Sequence, residues 1–319
     1  MNFAGEAAAL GAALSWTICT IIFTKAGKDI GSLSVNIIRL AFAGIYLMVF
    51  GAISRGYALP TDAPADAWLY LGISGFVGFF LGDLCLFRCF LVLGPRLSLL
   101  MMTMWTPVSA ITAWIVFGAE EALNAVAWIG MMITLSGVGW VIMEKPKRDH
   151  LPSNHKLQGI LLGIGAALGQ GIGFVIAKLG QNSYETVIAS GQYQKINLAF
   201  ASTQIRLIFA ILGFAMVFTM TGRWGKLVQD CKKIKPMSIL SVGAFIGPFI
   251  GVALSLLAMS YTKVGIASTL LATSPIFIIP FSAIFFKEKV TPRALFGVII
   301  SISGVALISL AKEVVAYFC

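Results

Sequence analysis

Three charged side chains lie inside long apolar stretches of this sequence: Arg39, Asp83 and Arg206. A charge inside hydrocarbon is costly, so such residues pair with an opposite charge or take part in function. A guanidinium binds carboxylates and phosphates through parallel hydrogen bonds, and a carboxyl group within a membrane span can carry protons. These three residues are therefore the first candidates for an ion pair, for anion binding and for proton coupling.

The composition of the chain indicates that these charges lie in a membrane. Of the 319 residues, 58% are hydrophobic and 11% are charged, whereas a soluble domain carries about 25% charged residues. The apolar runs are continuous, which argues against a transmembrane β-barrel, and the low charge argues against a disordered chain. Nearly all of the 23 Lys and Arg lie between apolar runs, as in membrane-flanking loops. This placement argues against a nucleic-acid partner.

Ten apolar stretches have about the length that a transmembrane helix needs, which is roughly 20 residues. Asp83 and the two arginines are the charges that these stretches retain. The sequence therefore predicts an all-α polytopic membrane protein. The ten stretches are Ala7–Thr24, Ser34–Ser54, Ala67–Phe87, Leu97–Ala119, Ala122–Met143, Leu157–Ala177, Leu198–Met220, Ser238–Ser260, Val264–Phe286 and Ala294–Ala311.

The second half of the chain repeats motifs of the first half in the same order. Arg39 recurs as Arg206 within an Ile-Arg-Leu triplet, at an offset of 167 residues, and Pro107 recurs as Pro275 at an offset of 168. Each half holds five stretches, and an odd number forces the halves into opposite orientations, as in inverted-repeat transporters. We therefore expect ten transmembrane helices as two inverted five-helix repeats. The predicted divisions are residues 1–144 for the first repeat, 145–156 for a linker and 157–319 for the second repeat.

Two segments, residues 82–120 and 251–308, resemble the EamA family of the drug/metabolite transporter superfamily. The shared features are a proline in mid-helix, an ending in Glu after Gly-Ala or Lys, and a following helix with two glycines seven residues apart. The resemblance covers both halves, essentially the whole chain. It implies ten helices, no metal or organic cofactor, and transport of small metabolites, often by export.

The two repeated prolines, Pro107 and Pro275, fall near the middle of their apolar stretches. A proline there removes a backbone hydrogen bond and frees the carbonyl four residues earlier, and broken helices at mid-depth are typical of transporter substrate sites. We expect a hinge at each proline, with a simple packing kink as the alternative. The side chains expected to bind substrate are Arg206, Trp16, Gln170, Trp105, Thr106 and Ser274, with core packing as the alternative for Trp16.

The three intramembrane charges have unequal prospects of a partner. The third helix returns to the side where the second begins, so Asp83 is expected to pair with Arg39, and snorkelling to the interface is the alternative for Arg39. Asp83 is also the candidate proton carrier. The position equivalent to Asp83 in the second half is Val252. Arg206 is therefore expected to face a cavity and to bind a substrate carboxylate or phosphate.

Other polar residues are expected to have structural or solvated roles. Glu120 and its equivalent Glu288 are expected to stabilise the start of the helix that follows each of them. The two histidines, His150 and His155, lie in the predicted linker and are expected to be solvated rather than to bind metal. No metal site is therefore predicted.

These observations favour a secondary transporter of small amphipathic or anionic metabolites, such as amino acids, working by alternating access in the cell membrane. Export is the direction that the resemblance implies. The alternatives are a channel, or an intramembrane scaffold or enzyme; the spans hold no histidine, and hence no His-based zinc or Ser/His catalytic set. The expected partners are membrane lipid and a small-molecule substrate, with a homodimer left open.

The orientation in the membrane is not fixed by these arguments. Loops on one predicted side hold 16 basic residues, against five on the other. The positive-inside rule then places both termini outside, whereas the family resemblance implies both termini inside.

Overall fold

The computed structural model describes residues 3–142, 153–187, 192–274, 276–277 and 292–309, and every regular element in these ranges is helical. In the first half the elements are α1 (Ala4–Ile30), α2 (Ser32–Arg55), α3 (Ala65–Ser74), a π-helical segment π1 (Gly75–Gly82), α4 (Asp83–Thr103), α5 (Trp105–Phe117), a 3₁₀ turn (Gly118–Glu120) and α6 (Ala125–Ile142).

The second half has a similar order of elements. It contains α7 (Ser153–Glu185), α8 (Gln192–Thr221), α9 (Trp224–Cys231), α10 (Ile234–Ala244), a second π-helical segment π2 (Phe245–Gly251), α11 (Val252–Met259), α12 (Val264–Leu271) and α13 (Pro292–Ser309).

Within the described residues, seven helical stretches are long and apolar enough to cross a membrane, and two shorter apolar helices accompany them. The all-α polytopic membrane fold expected from the sequence is therefore observed. The ninth predicted stretch, Val264–Phe286, begins as α12 and continues outside the described residues. The ten-helix inverted arrangement stays a prediction. The seven stretches are Ala4–Gly27, Ser32–Arg55, Ala65–Cys89, Met101–Glu120, Leu157–Glu185, Gln194–Thr221 and Ile234–Met259, and the shorter helices are Ala125–Trp140 and Leu295–Ile308.

Several helices extend beyond the apolar stretches from which they were predicted. Helix α1 continues past Lys25 to Ile30, and α4 continues past Arg88 through the gap predicted between the third and fourth spans. Helix α7 begins at Ser153, inside the predicted linker, and runs past Lys178. A charged side chain disfavours hydrocarbon but leaves the i→i−4 backbone hydrogen bonds intact, so a charge does not mark the end of a helix.

The first helix of each half, α1 or α7, packs against the third long membrane-crossing stretch of the other half, which begins with α10 or α3, through equivalent contacts. Ser74 Oγ on α3 donates to the carbonyl of Gly173 on α7 at 2.5 Å. Cys19 Sγ on α1 donates to the carbonyl of Gly243 on α10 at 3.1 Å. The first helices of the two halves match at an offset of 154 residues, so Cys19 corresponds to Gly173, and the third spans match at an offset of 169, so Ser74 corresponds to Gly243. The same packing contact therefore occurs twice in the molecule.

Glycines allow the backbones of π1 and α7 to approach closely. A Cβ atom on Gly173 would lie 2.9 Å from the Cα of Gly78, and one on Gly169 would lie 3.0 Å from the Cα of Gly82. Small residues at such crossings permit the close helix packing that stabilises membrane proteins. The crossing brings Gln170, which follows Gly169, within hydrogen-bonding distance of Asp83, which follows Gly82.

Helices α6 and α13 pack antiparallel along the two pairs of glycines noted in the sequence. A Cβ atom on Gly130 would lie 3.0 Å from the carbonyl oxygen of Gly304, and one on Gly137 would lie 2.6 Å from that of Gly297. Between these two points, Ser301 Oγ donates to the carbonyl of Thr134 at 3.1 Å. The two glycines on each helix thus form one continuous interhelical contact.

We predict that Gly137→Val destabilises the protein by about 1–3 kcal/mol, because the side chain overpacks against the backbone of α13. Ser136→Val introduces the same β-branched side chain at the neighbouring, exposed position and serves as the matched control. Thermal unfolding of the two purified variants in detergent measures the difference. Equal unfolding temperatures for both variants would contradict the close packing of α6 on α13.

Candidate functional site

A cavity of about 460 Å³ lies between the two halves of the protein. Its walls extend from Trp16 and Arg206 to Gly27 and Ser32, where α1 ends and α2 begins. We call this end of the molecule the α1–α2 face. The volume falls within the range of about 300–1,000 Å³ that is usual for small-molecule sites.

Most of the residues predicted for the site line this cavity. The lining includes the predicted substrate-binding side chains Arg206, Trp16, Gln170, Trp105 and Ser274, together with Arg39 and Asp83.

Thr106 was predicted to bind substrate, but the structure places it outside the described lining of the cavity. Its side chain is fully buried between α5 and α12, with Oγ1 3.5 Å from the carbonyl of Ser268. Ser109 Oγ lies 2.8 Å from Ser268 Oγ in the same contact. Because Thr106 starts a turn that faces α12, its hydroxyl joins two helices instead of facing the cavity.

The helix break near Pro107 lies three residues before the proline. Helix α4 ends at Thr103 and α5 begins at Trp105, so Pro107 occupies the first turn of α5. A backbone N–H in the first turn has no intrahelical partner, and proline therefore costs no hydrogen bond there. The break places Thr103 and Trp105 at the cavity.

Pro275 lies outside the described residues, but the chain before it shows a similar break. Helix α12 ends at Leu271, four residues before the proline. Ser274 Oγ donates to the carbonyl of Leu271 at 2.8 Å, so the carbonyl that a proline at this position frees has a hydroxyl partner. Thr17 Oγ1 lies 2.8 Å from the carbonyl of Ser274 and joins α1 to this segment. A hinge at either proline stays a prediction.

Arg39 is buried in an ion pair and does not snorkel to the interface. Only 2% of the residue is exposed. Its Nη2 donates to Asp83 Oδ2, and its Nε donates to Asn36 Oδ1 at 3.0 Å. The rings of Phe23 and Phe87 lie 5.4 and 5.1 Å from the guanidinium carbon. The pair links α2 to the start of α4.

Both carboxylate oxygens of Asp83 accept hydrogen bonds. Gln170 Nε2 donates to Asp83 Oδ1 at 2.8 Å and to the carbonyl of Gly78 at 3.1 Å. The Gly78 carbonyl can only accept, so it fixes the orientation of the Gln170 amide. Asp83 Oδ1 therefore faces a donor, and Oδ2 faces the guanidinium of Arg39. In this arrangement Asp83 pairs with Arg39, and its role as a proton carrier stays a prediction.

Arg206 is equally buried but has no carboxylate partner among the residues that the structure describes. It is 2% exposed, its Nε lacks a hydrogen-bond partner, and its guanidinium carbon lies 4.2 Å from the centroid of the Phe79 ring. The equivalent of Asp83 in the second half, Val252, also lines the cavity. A buried guanidinium with unused donors is costly, and an anion in the cavity would stabilise it.

Aromatic rings form much of the cavity wall, and sequence reasoning missed four of them. These rings belong to Phe23, Phe79, Phe87 and Phe174. The Phe174 ring packs edge-on against Trp105, with centroids 5.4 Å apart. In an apolar span, a phenylalanine facing a cavity cannot be distinguished by type from one facing lipid. The one available signal in the sequence was that Phe79 directly follows Gly78, a glycine that recurs in the second half as Gly247 at an offset of 169 residues.

The face opposite to the α1–α2 face is closed by polar clusters, of which the first contains Glu121. This residue is 4% exposed, forms an ion pair with Lys178 on α7, and accepts from the backbone N–H of Val264 at 2.7 Å. Glu120, for which the sequence predicts a structural role, is exposed. Glu121 stabilises the start of α12 rather than of the helix that follows it. Glu288 lies outside the described residues.

A second polar cluster joins α2 to the end of α7. Arg55 Nη1 donates to Asp62 Oδ1 at 3.0 Å, and the hydroxyl of Tyr184 donates to the same oxygen at 2.8 Å. Tyr184 follows Lys178 by six residues, about 9 Å along a helix, so both clusters lie at the same end of α7. Together they tie the first half of the chain to the second at this face.

We predict that Asp83→Asn destabilises the protein by about 3–5 kcal/mol, because it leaves the guanidinium of Arg39 buried without a counter-charge. The double variant Asp83→Asn, Arg39→Gln removes both charges and should recover part of this loss. Thermal unfolding of the wild type, both single variants and the double variant gives the coupling energy. Additive effects of the two substitutions would show that the ion pair does not stabilise the fold.

Both halves of this chain, and its overall fold, are similar to known proteins. The model of the EamA-like transporter family matches residues 3–143 and again residues 157–310. A relative from Archaeoglobus fulgidus, described as an uncharacterized transporter, is 23% identical over 302 residues, which cover 94% of this chain and 96% of the relative. A solved structure titled "Crystal structure of protein" has a TM-score of 0.70 at 13% identity over 99% of both chains, a likeness of fold.

The family matches cover most of both halves, and the resemblance stated from the sequence is thereby confirmed. The chain is a multi-pass membrane protein that belongs to the EamA-like transporter family.

Proposed function

We propose that this protein is a secondary transporter that exports small amphipathic or anionic metabolites by alternating access. The observation that carries the proposal is the guanidinium of Arg206, which is buried at the cavity without a carboxylate partner in the described part of the chain. A substrate anion would supply that partner through charge-assisted hydrogen bonds. The aromatic walls would hold an apolar body next to it.

The two ends of the cavity differ in a way that supports alternating access. At the α1–α2 face the lining reaches Gly27 and Ser32. At the opposite face, the clusters around Glu121 and Asp62 tie the two halves together. A transporter exposes its site to one side of the membrane at a time. The two clusters would have to separate when the face at which they lie opens.

The repeated packing contacts support two inverted five-helix repeats, residues 1–144 and 157–319, joined by a linker at 145–156. Helix α1 crosses π2 as α7 crosses π1, and α6 packs antiparallel on α13 through equivalent glycines. Inverted repeats of this kind allow one half to rock against the other around a central site.

A channel and an intramembrane enzyme fit the site less well. A conducting pore needs a continuous polar path, whereas the Glu121–Lys178 ion pair and the hydrogen bond of Glu121 to Val264 join the two halves at one end of this cavity in the described residues. No group of three or more His, Cys, Asp or Glu that could hold a metal occurs in the described ranges. The cavity side chains suit the binding of an anion, and none of them forms a nucleophile–base pair with another residue in those ranges.

We predict that Arg206→Gln lowers the flux of any carried carboxylate by about tenfold or more, because a hydrogen bond to a charged group contributes about 1.5–3 kcal/mol. Proteoliposomes loaded with a panel of labelled carboxylates and amino acids measure the flux. Arg223→Gln, which removes an exposed arginine after α8, is the control and should transport normally. Saturable exchange identifies a carrier. A large ohmic current, or wild-type flux in Arg206→Gln, would refute the proposal.

We predict that the double variant Lys178→Met, Glu121→Gln opens the face opposite to the α1–α2 face more often. Ser268 is fully buried between Val264 at that face and Leu271 at the cavity. The reactive variant is Ser268→Cys in a background without the five native cysteines. If removing the cluster weakens closure by about 1.4 kcal/mol, this cysteine should react with a polar maleimide about tenfold faster. Unchanged labelling would show that the cluster does not hold this face closed.

A further inference from the structure

We infer that the cavity selects amphipathic monoanions that carry one negative charge and no ammonium group. The inference rests on the proposed transport function and specifies its substrate class. It excludes zwitterionic amino acids, cations and dianions as preferred substrates. Three observations carry it: the net charge of the lining, the pairing of Asp83 with Arg39 and Gln170, and the aromatic walls beside Arg206.

The first observation is the charge balance of the cavity. Its described lining contains three charged residues, Arg39, Asp83 and Arg206. Arg39 and Asp83 neutralise each other, so a single uncompensated positive charge remains at Arg206. A monoanion brings the occupied cavity to neutrality, whereas a zwitterion or a dianion leaves a net charge in a buried site. Burying an uncompensated charge is strongly unfavourable.

The second observation is that a substrate ammonium finds no free carboxylate. Asp83 already accepts from Arg39 and from Gln170, and the carbonyl of Gly78 holds Gln170 in place. Displacing Arg39 from Asp83 would leave its guanidinium buried without a counter-charge. Breaking one partner out of a buried ion pair costs about 3–5 kcal/mol.

Neutral acceptors in the cavity do not replace a carboxylate. The hydroxyls of Ser255 and Ser274 donate to the carbonyls of Gly251 and Leu271, at 2.7 and 2.8 Å. They could accept a hydrogen bond from an ammonium but would leave its charge uncompensated next to Arg206. The repulsion between two cations in a site of low polarity disfavours this occupant.

The third observation is the placement of the rings. The guanidinium of Arg206 lies over the Phe79 ring, while Trp16, Trp105 and Phe174 line the same cavity. A carboxylate that binds Arg206 therefore has aromatic surface on which to place an apolar body. Aromatic pairs add about 0.5–1.5 kcal/mol beyond simple burial, so a compound with one ring joined to one carboxylate suits the site.

Equilibrium binding to the purified full-length protein tests this inference with three probes that share one phenylethyl body. These are 3-phenylpropanoate, an anion; phenylalanine, the same acid with an ammonium; and phenethylamine, a cation. Calorimetric titration should show 3-phenylpropanoate binding at least about tenfold more tightly than either of the others. Equal or tighter binding of phenylalanine or phenethylamine, or no binding of 3-phenylpropanoate at millimolar concentration, would overturn the inference.

Arg206→Gln provides a second test through a reversal of preference. The substitution makes the cavity neutral, so 3-phenylpropanamide should bind the variant more tightly than 3-phenylpropanoate, while wild type and the control Arg223→Gln should prefer the carboxylate. A preference for the carboxylate that is unchanged in Arg206→Gln would contradict the inference. The wild-type series decides it alone if the variant does not fold.

Binding and flux separate the inference from the proposed function. Binding is measured without a membrane gradient, so the predicted order of affinities with no flux in proteoliposomes would refute the transport function alone. Saturable flux of amino acids, with phenylalanine binding more tightly than 3-phenylpropanoate, would refute the monoanion inference and leave the transporter standing.

Discussion

Two guanidinium groups, those of Arg39 and Arg206, are buried around a cavity whose described lining contains one carboxylate, Asp83. Its oxygens are occupied by Arg39 and Gln170, and Arg206 is left with a phenylalanine ring as its neighbour. A buried charge is tolerated only where it is paired and hydrogen-bonded. The fold satisfies this condition for Arg39 and leaves it open for Arg206, so the chemical character of the cavity follows from the pairing of its single negative charge with Arg39.

The glycines determine which residues can reach the carboxylate of Asp83. Gln170 reaches Asp83 and Gly78 because α7 crosses π1 with backbone atoms almost in contact at Gly169 and Gly173. The equivalent crossing of α1 with π2 has Trp16 at the position of Gln170 and Val252 at that of Asp83. The two crossings occupy equivalent positions in the two halves but differ in polarity. The cavity is therefore polar on one side and apolar on the other, which suits an amphipathic ligand.

The sequence was sufficient for the features that depend on residue type along a single span, and insufficient for those that depend on neighbours. Apolar length predicted the helical membrane fold, and the charges retained in spans directed attention to Arg39, Asp83 and Arg206. The direction in which Thr106 faces depends on the exact helix break, which lies three residues before Pro107 rather than at it. The choice between Glu120 and Glu121 depends on the start of α12, a helix far away in the chain.

The closed face contains polar groups whose hydrogen bonds are not satisfied within the described structure. Gln181 lies one turn from Lys178 on α7 and is buried with both amide atoms unpartnered there, as is Oδ1 of Asn197 on α8. Each such atom costs about 1–3 kcal/mol. Water entering an opened face would hydrate these atoms and offset part of the loss of the Glu121–Lys178 pair. In the proposed alternating-access cycle, a closure that combines the Glu121–Lys178 ion pair with unsatisfied amides would keep the open and closed states close in free energy.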